Sequence, residues 1–214
     1  MTRLLFPLSV LAAFTACSSV NGTVDGESTP INSTYMLQDD DYFGDDGVIL
    51  LVLSGGGLSC DGMDQLLEEL EDADDNDEKA DLWAEYLPQD FWEWRITLRV
   101  DDVDDDLGGD EIEGTEWTDL VNDDDQLSAL AIHYTDWPDE DSFSWWGWVT
   151  GDATDYYEVY HSDEGVARIS GHTPNESIRG SFETEMVDAD GDDEGDVSIN
   201  FSTSRCSTLD SHYL

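Results

Sequence analysis

The most regular alternation in the chain begins at Phe91. Trp92, Trp94, Ile96, Leu98 and Val100 fall on one side of an extended backbone, and Glu93, Arg95, Thr97 and Arg99 on the other. A different pattern stands upstream. Val48–Leu53 is an unbroken apolar run that stops at Gly55-Gly56-Gly57, the length and composition of a strand buried on both faces. Between these two lies helical spacing. Met63, Leu66, Leu67 and Leu70 recur at three and four residues behind Asp61, a candidate N-cap. Asp72–Asp77 is too rich in aspartate for a helix interior. A second short helix through Leu82, Trp83, Tyr86 and Leu87 ends before Pro88. The stretch 61–87 therefore reads as a helical insertion in a β framework.

Further strands follow at short intervals. Leu127–Tyr134 precedes a break at Trp137-Pro138, and Phe143–Thr150 with Tyr156–Tyr160 reads as a hairpin around Gly151-Asp152. Val166–Gly171, Ile178–Met186 and Val197–Ser202 come next, the last closing the sheet. Asp101–Gly114 reads as an acidic loop and Ser207–Leu214 as a polar tail. Ser18–Gln38 is polar, with short strands possible over Gly22–Gly26 and Thr34–Leu37. Strands at this spacing with Gly and Asp turns predict a mainly β fold, an antiparallel sandwich or barrel-like domain.

The N-terminus is of another kind. Arg3 leads into an apolar run from Leu4 to Phe14, followed by Thr15, Ala16 and Cys17. The run falls short of the about 20 residues a spanning helix needs and has the three regions of a secretory signal. Ending on Phe14-Thr15-Ala16-Cys17, it resembles a bacterial lipoprotein signal. That resemblance implies cleavage before Cys17, diacylglycerol on its thiol and acylation of its new amine. Two or more acyl chains make a stable anchor. Ser18 in place of Asp implies, by the same resemblance, the outer membrane of a Gram-negative envelope. The family prefers Leu where Phe14 stands, and ordinary cleavage after Ser18, with Ala16 and Ser18 as the small pair, is the alternative. The expected organisation is a removed signal over 1–16, lipidated Cys17 and a tether over 17–24, one β-rich domain over 25–206 and the tail from 207.

Charge narrows the partners. The chain has 53 acidic and 7 basic residues, a formal charge of −46, and loss of Arg3 takes it one unit further. Nucleic acid and anionic lipid are both bound through Lys and Arg, so such a surface repels both and a nucleic-acid function is excluded. Solubility alone accounts for much of this acid. It also resembles the surfaces of proteins from salty habitats, where counter-ions screen self-repulsion. The 11% aromatic content argues against disorder.

With Cys17 taken by lipid, Cys60 and Cys206 remain, an even pair in an oxidising space. The expectation is a Cys60–Cys206 disulfide; two buried thiols are the alternative. A second resemblance lies at the C-terminus. Gly180-Ser181-Phe182, an acidic turn, then Phe201 and Cys206 resemble the closing hairpin of many small envelope lipoproteins. It implies compartment and architecture, not a reaction.

Candidate chemistry is sparse. Asp188, Asp190 and Asp192 could place hard oxygens around a weakly held Ca²⁺. The EF-hand pattern fails, with Asp193 at the sixth position and Ile199 at the twelfth, and a solvated hairpin loop is the plainer reading. Asp39–Asp46 and Asp101–Asp106 are weaker cation candidates. Trp146, Trp148 and Tyr157 are candidate ligand-binding aromatics that could stack on sugar rings, or else fill the core. Ser59 in Gly57-Leu58-Ser59-Cys60-Asp61 lacks the second glycine of a nucleophile elbow. The four histidines show no metal-ligand spacing. No catalytic residue is assigned. The expectation is a lipid-anchored, acidic envelope protein with a structural or ligand-binding role, its partners the membrane and a carbohydrate or protein ligand. A carboxylate-dependent hydrolase and a carbohydrate-binding module are the alternatives.

Overall fold

The computed structural model describes residues 18–40, 42, 46–114, 127–136 and 156–210. The apolar run becomes β3 (Gly47–Ser54), in which every residue is buried. On its two sides lie β2 (Ser33–Asp39) and β4 (Phe91–Val100), both antiparallel to it. β6 (Leu127–Tyr134) follows β4 in space, then β7 (Tyr157–Thr173), β8 (Ser177–Val187) and β9 (Asp193–Ser204). Two short strands complete the sheet: β1 (Ser19–Gly22) beside β9, and β5 (Glu111–Gly114) beside β7. The order is β1-β9-β8-β7-β6-β4-β3-β2, and the sheet curls into an antiparallel half-barrel.

Curling gives the sheet an inside and an outside. Ile49, Leu51, Trp94, Ile96, Phe182 and Ile199 point inward and form the main core. On the outside, β2, β3, β4 and β6 are covered by α1 (Cys60–Asp72) and α2 (Asn76–Tyr86). Met63, Leu66, Trp83 and Leu87 pack there against Tyr35, Leu37, Val52 and Tyr134. The ion pair of Glu93 with Arg95, at 2.8 Å, has Glu93 only 3% exposed.

The two ends of the sheet come together at one place. Met36 and Arg205 form a parallel bridge, and the Thr34 hydroxyl donates to the Ser202 carbonyl at 3.3 Å. The Cys206 amide donates to the Met36 carbonyl. The expected disulfide lies there: Cys60, the first residue of α1, is bridged to Cys206 with Cα atoms 5.8 Å apart. It fastens the helical layer to the sheet's closure and spans 146 residues of chain.

Several expected boundaries move. The stretch expected as tether contains β1, held in register on β9 from Ser19↔Asn200 to Gly22↔Val197. A short polar strand gives no periodicity signal; its hydrogen bonds to β9's free edge hold it. The acidic loop contains β5 for the same reason. The tail begins with a 3-10 turn, Ser207–Leu209, whose Leu209 is fully buried under the helical layer. The expected strands Tyr156–Tyr160 and Val166–Gly171 are not separate: β7 runs through both, beginning at Tyr157. A bulge between Ser162 and Gly165 absorbs Asp163 and Glu164. The Thr184 hydroxyl donates to the Glu164 carbonyl at 2.6 Å and fixes that bulge. The first half of β7 pairs with β6; the expected partner, Phe143–Thr150, lies outside the described residues. Finally, Ser59 and not Asp61 caps α1, its Oγ accepting from the Gly62 amide at 3.1 Å.

Candidate functional site

His133 stands near the end of β6, 8% exposed, among aromatic and acidic side chains. Its ring lies flat on Trp92 of β4, with centroids 4.2 Å apart and planes 6° from parallel. Nε2 is 2.8 Å from Asp90 Oδ1 and 3.9 Å from Glu27 Oε2, and Nδ1 is 3.6 Å from Glu158 Oε2. Asp90, with φ of 68°, sits at the turn into β4, and Glu27 follows the tight turn after β1. Tyr160 of β7 packs beside Trp92 and donates its hydroxyl to Glu158 at 3.1 Å. Burial, and then that bond, pushes the Tyr160 hydroxyl well above the ordinary phenol range.

Carboxylates therefore face both ring nitrogens of His133. The hydrogen bond is the one between Nε2 and Asp90; Glu27 and Glu158 stand further off. The arrangement ties β4, β6, β7 and the turn at residues 24–27 together. No nucleophilic serine or cysteine contacts this ring among the described residues. No local signal exposes the group in the sequence, because Asp90, His133 and Glu158 come from separate strands and turns.

A second feature is an open trough of about 1220 Å³ on the outer face of β5, β7, β8, β9 and β1. Glu111, Glu113, Glu164, Glu183, Glu185 and Asp196 line it. Arg168 answers part of this charge, bonding Glu111 and Glu183 at 2.8 Å each. Repulsion from Asp193 foremost, with some burial, holds the Glu185 carboxyl above its ordinary range. Glu194 is raised as well, by burial first and then by Asp25.

The residues singled out in the sequence are dispersed. Cys60 and Cys206 meet in the disulfide. Cys17, Trp146 and Trp148 lie outside the described residues. Tyr157 opens β7 half-buried, its ring 6.1 Å from that of Tyr134 at the edge of the helix-covered apolar cluster. Asp188 turns the β8–β9 hairpin, its Oδ1 accepting from the amides of Asp190 and Asp192 at 2.9 Å each. Asp102 and Asp106 likewise accept backbone amides of their own loop, and Asp46 pairs with Arg99 at 2.6 Å. Among the described residues no group of three or more His, Cys, Asp or Glu side chains is placed to hold a metal ion. No described helix is long and apolar enough to cross a membrane. No protein-family model, curated protein or solved structure matches the chain.

Proposed function

We propose that this is an exported lipoprotein of the cell envelope. In this reading it is cut before Cys17, held by acyl chains on that residue at the outer membrane, and displays an acidic β-domain with a structural or ligand-binding role. The observation that carries the reading is the use of the cysteines. Cys60 and Cys206 are bridged, which suits an oxidising compartment, and Cys17 is the one cysteine outside that pair. It stands at the end of the apolar run Leu4–Phe14, where a lipoprotein signal needs it. The domain's first strand begins at Ser19, so no long linker separates anchor from sheet. Any ligand-binding part of the role falls on the open acidic trough, whose lining favours a cationic or hydroxyl-bearing ligand over an anionic one.

Fractionation of cells expressing the full chain tests this. Wild type is expected in the membrane fraction, with an N-terminal peptide beginning at acylated Cys17. Cys17→Ser is expected as soluble protein or uncleaved precursor. Equal membrane retention of both, or an unmodified N-terminus at Ser19, would overturn the reading.

A further inference from the structure

We infer that the outer face of β8, β9 and β1, at the end where Ser18 joins the sheet, is the surface that lies on the lipid headgroups of the anchoring membrane. This rests on the lipoprotein reading above and adds which side of the domain meets the bilayer.

Charge along these strands is sharply segregated. On β9 the outward residues Ser198, Asn200, Ser202 and Ser204 alternate with inward Val197, Ile199, Phe201 and Thr203. Across from Asn200, Ser202 and Ser204 on β8 stand Ser181, Arg179 and Ser177, across from Ser198 stands Glu183, and on β1 stand Ser19 and Asn21. One cross-strand row reads Ser19, Asn200, Ser181, Arg168; the next reads Ser202, Arg179, Gly171. Across β1, β9 and β8 these rows contain no acidic residue, in a chain with 53 of them; beyond Arg168 the first row reaches Glu111 of β5. The acids return two residues further along the same strands, at Glu183, Glu185 and Asp196, where the trough begins. Arg179 is exposed, lies over Gly171 and makes no ion pair with a described carboxylate. Arg179 is one of the chain's 7 basic residues; Arg168, at the edge of this surface, is paired with Glu111 and Glu183.

The anchor is beside the same surface. The Ser18 hydroxyl accepts from the Ser202 amide at 3.0 Å and lies 3.4 Å from the Ser202 carbonyl. Ser202 is register-paired with Arg179. Cys17 is the next residue, and successive Cα atoms are about 3.8 Å apart. A lipidated Cys17 therefore keeps this patch close to the bilayer. An acidic domain held that close is repelled by anionic headgroups wherever it turns carboxylates toward them, while a basic side chain there is attracted. The acid-free rows are the side that can face the membrane without repulsion, and Arg179 is placed to meet a headgroup phosphate. The trough lies further along the same strands, beyond the end that meets the headgroups.

The test uses the full-length lipidated protein in vesicles of phosphatidylethanolamine and phosphatidylglycerol. With Cys17 acylated and Cys60–Cys206 closed, an added cysteine is the sole free thiol. Nitroxide labels go on Ser181→Cys, on Asn200→Cys as a second position in the same row, and on Glu113→Cys in the trough. Accessibility to a water-soluble nickel relaxant is expected to fall on vesicle binding for the first two and to stay constant for the third. Adding Arg179→Gln should weaken that protection about fivefold, the weight of one basic side chain at an anionic surface. Equal accessibility of all three labels while the protein stays with the vesicles overturns the orientation and leaves the anchor intact. Protection at Ser181 that depends on protein concentration without vesicles also overturns it, in favour of a second copy. Protein that does not sediment with the vesicles overturns the anchored reading itself.

Discussion

The outer face of the half-barrel exists in two versions. Over β2, β3, β4 and β6 it carries Tyr35, Leu37, Leu50, Val52, Ile132 and Tyr134, and two helices cover it. Over β8, β9 and β1 it carries serine, asparagine and arginine at one end and carboxylates at the other, and nothing described covers it. The inner face is apolar along both halves. So the outward residues alone decide whether a strand acquires a second layer. β3 is apolar at consecutive positions because both its faces are covered, whereas β9 alternates because one is not.

The largest blow to the covered half is expected from the disulfide. It closes a loop of 146 residues between the start of α1 and the end of β9, for which chain entropy alone gives about 5 kcal/mol, with 2–4 more usual. Cys60→Ser with Cys206→Ser should lower denaturant stability by about 2–5 kcal/mol, and reduction of the wild type should do the same. Faster hydrogen exchange in α1 and β2 than in β8 would place the loss in the covered half. A double variant as stable as wild type would show that packing alone holds the helices.

A smaller, paired comparison separates the two faces directly. Leu66 of α1 is fully buried between helix and sheet, so Leu66→Ala should cost about 2–5 kcal/mol. Ser181→Ala, on the bare face of β8, should stay within about 0.5 kcal/mol. Equal costs in urea titrations would mean that the bare face is covered in solution.

How much of this could be read from the residues follows the same division. The covered half was legible: β3 from its continuous apolar run, β4 from alternation, α1 from Met63, Leu66 and Leu70, and a helix break within Asp72–Asp77, which the structure narrows to residues 73–75. The strands of the bare half were legible only where alternation was strong, as at Ile178–Met186. β1 and β5 are four residues each, with one branched apolar residue apiece, Val20 and Ile112, too few to show a period, and a neighbour's free hydrogen-bonding edge holds them. β7 was split because its bulge puts Asp163 and Glu164 where the period demanded one residue. The His133 group was illegible because its members join only when three strands and a turn assemble. The acid-free patch was hidden for a related reason: its serines are scattered over three strands and share a face only through register.

The finest difference between the halves is electrostatic, and pH separates it. Glu185 and Glu194 of the bare half are raised above the ordinary glutamate value of 4.5, the first mainly by Asp193, the second by burial and then Asp25. A carboxyl whose folded-state value is raised binds its proton more readily folded than unfolded. Its contribution to stability is present at low pH and is lost as pH rises through the raised value. Acidification from neutrality toward 4.5 should therefore stabilise this half. His161 acts with the opposite sign. It lies on β7 between Leu130 of the covered half and Val187 of β8, and burial lowers it from 6.5. The unfolded chain then takes up the proton more readily, so His161 removes stability as pH falls below 6.5. In wild type the two effects oppose each other. His161→Gln should leave the carboxylate effect alone, with a melting temperature that rises steadily as pH falls from about 7 to about 5. Molar salt should lessen that rise, because the repulsion that raises Glu185 is screened within about 3 Å while the burial that raises Glu194 is not. The wild-type loss below 6.5, which comes from desolvation, should survive the salt. A His161→Gln protein that melts lower as pH falls over the same window would remove the basis for treating repulsion in the bare half as the dominant charge effect.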